Sequence, residues 1–183
     1  MRSGIARWGV AALVLAMVAT PHGLEAQSTG ASFLAEFEGH FDGSAQKFVM
    51  LAEAMPADAY DWSPGEGVMS VARVYAHIAR YNYMYLHENM GLATPVSREA
   101  YSRWEDDLTD KDELVRVLRE SMEYVRNAVR DMSDDEVGEM TRLYGRDVEQ
   151  GAVLLQLVAH MNEHLGQSIA YARMNGVVPP WSR

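Results

Sequence analysis

The chain has 183 residues, no cysteine and a formal net charge of −10. Without cysteine the protein forms no disulfides, carries no lipid on a cysteine and offers only nitrogen and oxygen ligands to a metal. An acidic surface repels phosphate backbones, so we expect no nucleic-acid partner.

The first 26 residues are predicted to be a secretory signal peptide. Two arginines precede the apolar run WGVAALVLAMVAT, and LEA before Gln27 resembles a cleavage site. The apolar run is shorter than the roughly 20 residues of a spanning helix, although an uncleaved N-terminal anchor is the alternative. We therefore expect an exported, periplasmic or extracellular protein that has no membrane contact after cleavage. Residues 27–31 are predicted to be a disordered leader, and residues 32–183 one domain.

Four long helices are predicted from apolar residues that recur at steps of three or four. They are expected at about residues 33–55, 70–89, 109–132 and 150–175. Ser70 and Thr109 are predicted N-caps, Asp147 with Gln150 is a predicted capping pair, and Gly176 is expected to end the last helix.

The segments between these helices give weaker signals. Residues 56–69 are rich in Pro, Gly and Asp and are predicted to be a loop, and residues 91–108 are predicted to be irregular. Ser133 and Glu136 form a capping-box pattern for one short helical turn. No strand alternation is apparent, so the sequence predicts an all-α, four-helix bundle, up-down-down-up-like, with a long crossover. A mixed α/β domain is the alternative.

Three histidines are the candidate metal ligands. His160 and His164 lie four residues apart, so they share one side of the last helix, at the edge of its apolar stripe. Burying two imidazoles without partners is unfavourable, and a shared divalent metal would satisfy both. His77, in the middle of the second helix, is the best third ligand for an open site. His40 could reach the core, and His87 is expected to face solvent.

The pair also lies within the peptidase pattern H-x-x-E-H, in which Glu163 would be the general base. Such a site needs a further acidic ligand downstream, and no Asp or Glu follows His164. Glu163 also points about 100° away from His164 around the helix. We therefore expect Glu163 to be exposed or to support the site indirectly.

The pattern His77 … His160-x3-His164-Leu-Gly-Gln, with YDWSPGEGVMSVARVYAHIA and RMNGVVPP, resembles the DinB-like superfamily of metal-binding four-helix bundles. The resemblance covers about residues 31–181. It implies that the three histidines bind a divalent metal and that water completes the coordination. Many members carry arginine where this chain has Leu165, so a negatively charged substrate is not carried over. The family includes thiol-dependent transferases and isomerases, candidate hydrolases and many members of unknown activity.

The sequence therefore predicts that a divalent metal activates water, or a thiol, for hydrolysis or transfer on a small-molecule substrate that it does not identify. Zinc, nickel, copper and iron all suit three imidazoles. Tyr81 and Tyr171 are candidate catalytic residues, and Gln167 is expected to hold a ligand ring or a water. Export favours water, because low-molecular-weight thiols are abundant in the cytoplasm. A non-catalytic metal- or ligand-binding bundle and a purely structural bundle are the alternatives, and an exposed face could support a homodimer.

Overall fold

The computed structural model describes residues 32–182, so the predicted signal peptide and leader lie outside the described residues. In chain order the helices and strands are α1 (Phe33–Ala54), α2 (Val71–Met84), α3 (Arg98–Asp107), α4 (Lys111–Arg130), α5 (Asp134–Val137), β1 (Met140–Leu143), β2 (Arg146–Glu149) and α6 (Gln150–Met174). Short 3₁₀ turns lie at Ala57–Ala59 and Pro180–Ser182. Within residues 32–182, no helix has the length and apolar character needed to cross a membrane.

The four long helices α1, α2, α4 and α6 form a ring around one core. Helix α1 packs against α4 and α6, and α2 packs against the same two helices. The predicted all-α bundle is therefore confirmed. Large apolar side chains from all four helices are almost fully buried in its centre: Phe41, Phe48, Val74, Ile78, Leu118, Leu154 and Leu157.

Side-chain caps fix where three of these helices begin. The side chains of Ser32, Ser70 and Asp110 each accept a hydrogen bond from a backbone N–H three residues later. The predicted cap of α2, Ser70, thus agrees with the structure, whereas α4 is capped by Asp110 rather than Thr109. Helix α6 ends at Met174 with Asn175 as its C-cap, and Gly176 follows with φ of 75°, a conformation that glycine adopts without strain.

The prediction that residues 91–108 are irregular is wrong, because α3 occupies most of that segment. Its N-cap Ser97 accepts a hydrogen bond from the backbone N–H of Ala100, at 3.2 Å. Tyr101 is buried and Trp104 is half-buried, so a short face packs on α2. That face contains few apolar residues, which is why the helical pattern was inconspicuous.

The chain also contains an antiparallel hairpin that the sequence did not predict. Strands β1 and β2 pair with Leu143 opposite Arg146. The two turn residues, Tyr144 and Gly145, have φ of 50° and 78°. Positive φ at both positions is the signature of the tight turns whose twist matches that of the strands.

The hairpin also explains why the predicted capping pair before α6, Asp147 with Gln150, is wrong. Asp147 lies in β2, and the N-cap of α6 is Glu149, whose side chain makes no capping hydrogen bond. The hairpin therefore leads directly into α6. By contrast, the capping box of Ser133 and Glu136 is present at the start of α5.

Helix α2 ends in a π-helical turn, Tyr85–Asn89, followed by Gly91 with φ of 71°. Such wide turns are frequent at functional sites. Asn89 holds the hairpin against this turn, because its side-chain amide donates to the carbonyl of Arg142 at 2.7 Å. The hydroxyl of Thr141 donates to the carbonyl of Asn89. The hairpin is thus attached to the end of α2.

Candidate metal centre

His77, His160 and His164 lie together at the seam between α2 and α6. The Nε2 atoms of His77 and His160 are 3.0 Å apart, and one ring nitrogen from each of the three residues lies within 4.8 Å of the others. Two nitrogens on a tetrahedral zinc ion, each bound at 2.0–2.1 Å, would be about 3.3 Å apart. The three histidines are therefore positioned to bind a metal.

The helices explain this convergence. His160 and His164 are one turn apart, so both rings point from α6 towards α2. The inward position of His77 follows from its neighbours Val74 and Ile78. These two residues are 0% and 1% exposed, and they fix the inward face of α2. The His77 side chain is itself only 13% exposed.

A hydrogen-bonded chain behind His164 sets the orientation of its ring. Its Nδ1 lies 2.7 Å from the Oε1 of Gln167, and the amide Nε2 of Gln167 donates to the hydroxyl of Tyr171 at 2.7 Å. Trp62 packs edge-on against Tyr171, with ring centroids 5.3 Å apart. Because the amide oxygen can only accept, Nδ1 of His164 carries the proton, and its Nε2 lone pair is free for a metal.

Glu105 of α3 supports His77 from behind. Its Oε1 lies 3.0 Å from Nδ1 of His77, a close but poorly aligned contact. Arg80 donates to the same oxygen at 2.7 Å, and Arg73 lies 3.4 Å from the other. The interaction with His77, and then the interactions with Arg80, lower the pKa of Glu105 to about 2. The ionised carboxylate favours the proton on Nδ1 of His77, so the Nε2 lone pair of that ring also faces the cluster.

Two of the imidazoles, His160 and His164, are held in the neutral form that binds metals. Burial, and then the proximity of His164 and His77, lowers the pKa of His160 to about 3. Burial also lowers the pKa of His164. A hydrogen bond between two of the rings satisfies only one lone pair, whereas a single cation satisfies all three. The donor set therefore fits a divalent ion.

The structure separates the two candidate tyrosines. The ring of Tyr81 lies 4.4 Å from that of His77 and 4.6 Å from that of His160, measured between centroids, so Tyr81 borders the cluster. Tyr171 is buried behind His164 and reaches it only through Gln167. Its contacts are those of a positioning residue.

The other histidines and Glu163 stay apart from the cluster. His40 is exposed, so the expectation that it could reach the core is wrong. His87 is half-buried, with Nδ1 3.1 Å from the hydroxyl of Tyr101, which corrects the expectation that it faces solvent. Glu163 is exposed, in agreement with its position on the helix, and the peptidase interpretation gains no support.

Sequence reasoning missed Glu105, because it lies in the segment that was predicted to be irregular. A signal was present: Ser97 is a good N-cap, and Tyr101, Trp104 and Leu108 follow at helical spacing. It also missed Tyr85, whose buried ring lies 5.9 Å from that of His160.

A model of the DinB superfamily matches residues 40–168. The chain belongs to the DinB superfamily. This confirms the resemblance found in the sequence. No curated protein matches the sequence of this chain.

Solved structures show the same fold. A DinB-like protein from Bacillus cereus has 17% identity and a TM-score of 0.67, and the match covers 81% of this chain and 93% of that one. A DinB-like protein from Bacillus subtilis has 20% identity and a TM-score of 0.56, over 80% and 92%. The mycothiol-dependent maleylpyruvate isomerase has 19% identity and a TM-score of 0.58, over 75% of this chain but only 62% of the isomerase. At these identities the likeness concerns the fold alone.

Proposed function

We propose that this DinB-superfamily chain is a metal-dependent enzyme that hydrolyses a small electrophilic molecule or transfers a group on it. The observation that carries the proposal is the convergence of three imidazoles, with two Nε2 atoms 3.0 Å apart. Two of these rings are also supported from behind, by Gln167 and Glu105. Supports of this kind are typical of histidines that bind metals.

The proposed ligands of the divalent ion are His77, His160 and His164. Such an ion, when bound, would supply Lewis acidity and bring the pKa of a coordinated water or thiol towards neutrality. Three neutral imidazoles leave its positive charge uncompensated. Zinc, nickel and iron all suit this nitrogen donor set.

The surrounding side chains orient the reacting groups. Gln167 and Glu105 hold the ring planes of His164 and His77, so the ligand geometry is formed in advance. The ring of Tyr81 borders both His77 and His160, and its hydroxyl is the proposed hydrogen-bond partner of the substrate. Tyr171 acts indirectly, because its hydroxyl accepts a hydrogen bond from the amide of Gln167 and so fixes that amide.

We propose water as the nucleophile, because the sequence predicts export from the compartment where low-molecular-weight thiols are abundant. The thiol alternative has one specific support. A protein with the same fold is the mycothiol-dependent maleylpyruvate isomerase. Purified protein that transfers thiols but hydrolyses nothing would reverse this choice.

The metal proposal is tested by elemental analysis of protein purified without a histidine tag. We expect about one divalent ion per chain in the wild type and close to none in His160→Ala. The exposed His40 on α1 gives a matched control, since His40→Ala removes an imidazole that is not part of the cluster. Equal metal content in the wild type and His160→Ala would overturn the ligand assignment.

The catalytic proposal is tested with a panel of small esters, amides and lactones, assayed with Zn²⁺, Ni²⁺, Mn²⁺ and Fe²⁺ and with or without added thiol. We expect turnover that needs the metal and disappears in His160→Ala. A protein that binds metal but turns over no member of the panel would favour the non-catalytic binding alternative. If the purified protein contains no metal, the histidines have a structural role.

A further inference from the structure

Tyr144, at the tip of the hairpin, is held in an unfavourable backbone conformation. Within residues 32–182 it is the one non-glycine residue with positive φ, at 50°. This turn position favours Asn, Asp or Gly, because a bulky side chain there crowds the backbone. Strained residues of this kind cluster at functional sites. A function of the Tyr144 side chain would explain why this conformation is kept.

The side chain of Tyr144 connects solvent to the histidine cluster. It is 60% exposed, yet its hydroxyl lies 2.5 Å from the hydroxyl of Tyr85. Tyr85 is fully buried, and its ring lies 5.9 Å from that of His160 and 5.4 Å from that of Tyr81. Tyr81, Tyr85 and Tyr144 therefore form a row, the tyrosine row, that runs from the imidazoles to the surface.

The hairpin is attached to the bundle by apolar and by polar contacts. Leu143 is buried in the core and the half-buried Val148 packs against it, while Met140 at the start of β1 is 66% exposed. Asn89 adds hydrogen bonds with the strand residues Arg142 and Thr141. These bonds fix the hairpin to the π-helical turn that carries Tyr85. The contacts of the hairpin together place Tyr144 beside Tyr85.

The surroundings of the tyrosine row favour an uncharged ligand. Arg80 lies over the ring of Tyr81 at 5.5 Å, but its guanidinium donates to Glu105 and is already paired. The hydroxyls of Tyr85 and Tyr144 are hydrogen-bonded to each other. Phenol rings offer flat apolar faces, and their hydroxyls offer hydrogen bonds. This combination suits a neutral aromatic group.

We propose that Tyr144 is a specificity-determining residue whose ring packs against the uncharged aromatic body of a ligand, while the polar end of that ligand lies at the three histidines. The inference rests on the proposed metal site and deepens it, because it names the class of substrate. It requires Tyr144 to contact the ligand. An exposed tyrosine that merely packs on Tyr85 would leave ligand choice unchanged.

The test uses two probes with the same metal-binding head, benzohydroxamate and acetohydroxamate, which differ in the phenyl group. Protein loaded with Co²⁺ is titrated with each, and binding is followed in the visible spectrum of the metal. We expect benzohydroxamate to bind about tenfold more tightly, since one packed phenyl contributes at least that factor. A benzohydroxamate with a 4-carboxylate should lose most of this advantage.

Tyr144→Asn removes the ring and suits the left-handed turn, so the hairpin should persist. We expect it to reduce the preference for benzohydroxamate to about twofold or less, with acetohydroxamate affinity and Co²⁺ content unchanged. Tyr144→Phe keeps the ring and should retain most of the preference. Met140→Ala, also exposed on the hairpin, is the matched control and should behave as the wild type does.

The outcomes separate the two proposals. If the protein binds no Co²⁺, both the metal site and the role of Tyr144 are overturned. If Co²⁺ binds but the two probes bind equally, or if Tyr144→Asn keeps the full preference, the role of Tyr144 alone is overturned and the metal site stands.

Discussion

Two opposite seams of the helix ring are polar, but they are built differently. At the seam of α1 and α4, Asp42 pairs with Arg126 at 2.6 Å and Glu53 pairs with Arg119. Lys111 also donates to the backbone carbonyl of Glu53. At the seam of α2 and α6, the facing groups are three imidazoles of the same kind.

The difference shows which polar seam is positioned to bind a metal. Each of the charges named between α1 and α4 meets an opposite charge or a carbonyl, so these groups need no further partner. Between α2 and α6, ring nitrogens face one another, and two of the three rings, those of His164 and His77, are held from behind by Gln167 and Glu105. Complementary polar groups close a seam, whereas identical, oriented acceptors leave room for a cation.

Phe41→Ala should lower the free energy of unfolding by about 4 kcal/mol, because it removes a buried ring from the core. Phe41 is 1% exposed, stacks on Phe37, and lies beneath Arg126 of α4. Chemical denaturation measures the change. Phe41→Leu should lose clearly less, and the metal content of the folded protein should not change. A loss of metal here would mean that the two seams are not independent.

His160→Ala should abolish the stabilisation that metal gives. For the wild type, free metal at 100 times its dissociation constant should raise the free energy of unfolding by about 2.7 kcal/mol. The measurement is denaturation with added metal and with a chelator, for both proteins. His160→Ala should be insensitive to either. If a chelator leaves wild-type stability unchanged, the seam of α2 and α6 is stable without a ligand, as the seam of α1 and α4 is.

Glu105→Gln should weaken metal binding about tenfold while leaving the fold intact, because a neutral amide supports the His77 ring less well than a carboxylate. Competition against a metal-binding dye gives the affinity. Glu120→Gln is a matched control, since that glutamate pairs with Arg116 on the exposed face of α4. Identical affinities for the two variants would remove Glu105 from the site.

Asp42→Asn should change the free energy of unfolding by about 0.5 kcal/mol or less, because an exposed ion pair is largely screened by water and salt. Asp42 is 57% exposed at its side chain. Thermal unfolding at low and high ionic strength measures the effect, which should shrink as salt is added. A large, salt-independent loss would show that this seam depends on its charges after all.

The sequence sufficed for the parts of the molecule that depend on long, local patterns. The three-to-four-residue spacing of apolar residues located α1, α2, α4 and α6. The four-residue spacing of His160 and His164 placed both on one side of α6. The meeting with His77 followed from the bundle itself, since inward faces of neighbouring helices converge on one core.

The missing parts depend on contacts between segments that are distant in sequence. Helix α3 is short and rich in charge, so its apolar spacing is brief, and Glu105 reaches His77 only because α3 folds back on α2. Strand β1 spans four residues, too few for alternation to stand out. The conformation of Tyr144 contradicts local propensity, so the turn type could not be inferred from that residue.

The π-helical turn at Tyr85–Asn89 separates the part of α2 that carries His77 from the residue that holds the hairpin, Asn89. A π turn contains about one residue more than an α-helical turn, so it takes up an extra residue with little change in the direction of the chain that follows. Deleting one residue before Asn89 should therefore let an ordinary α-helix form and leave both His77 and Asn89 close to their present directions. A length change of one residue is absorbed within this single turn, so homologues without the extra residue should still hold the hairpin against the end of α2.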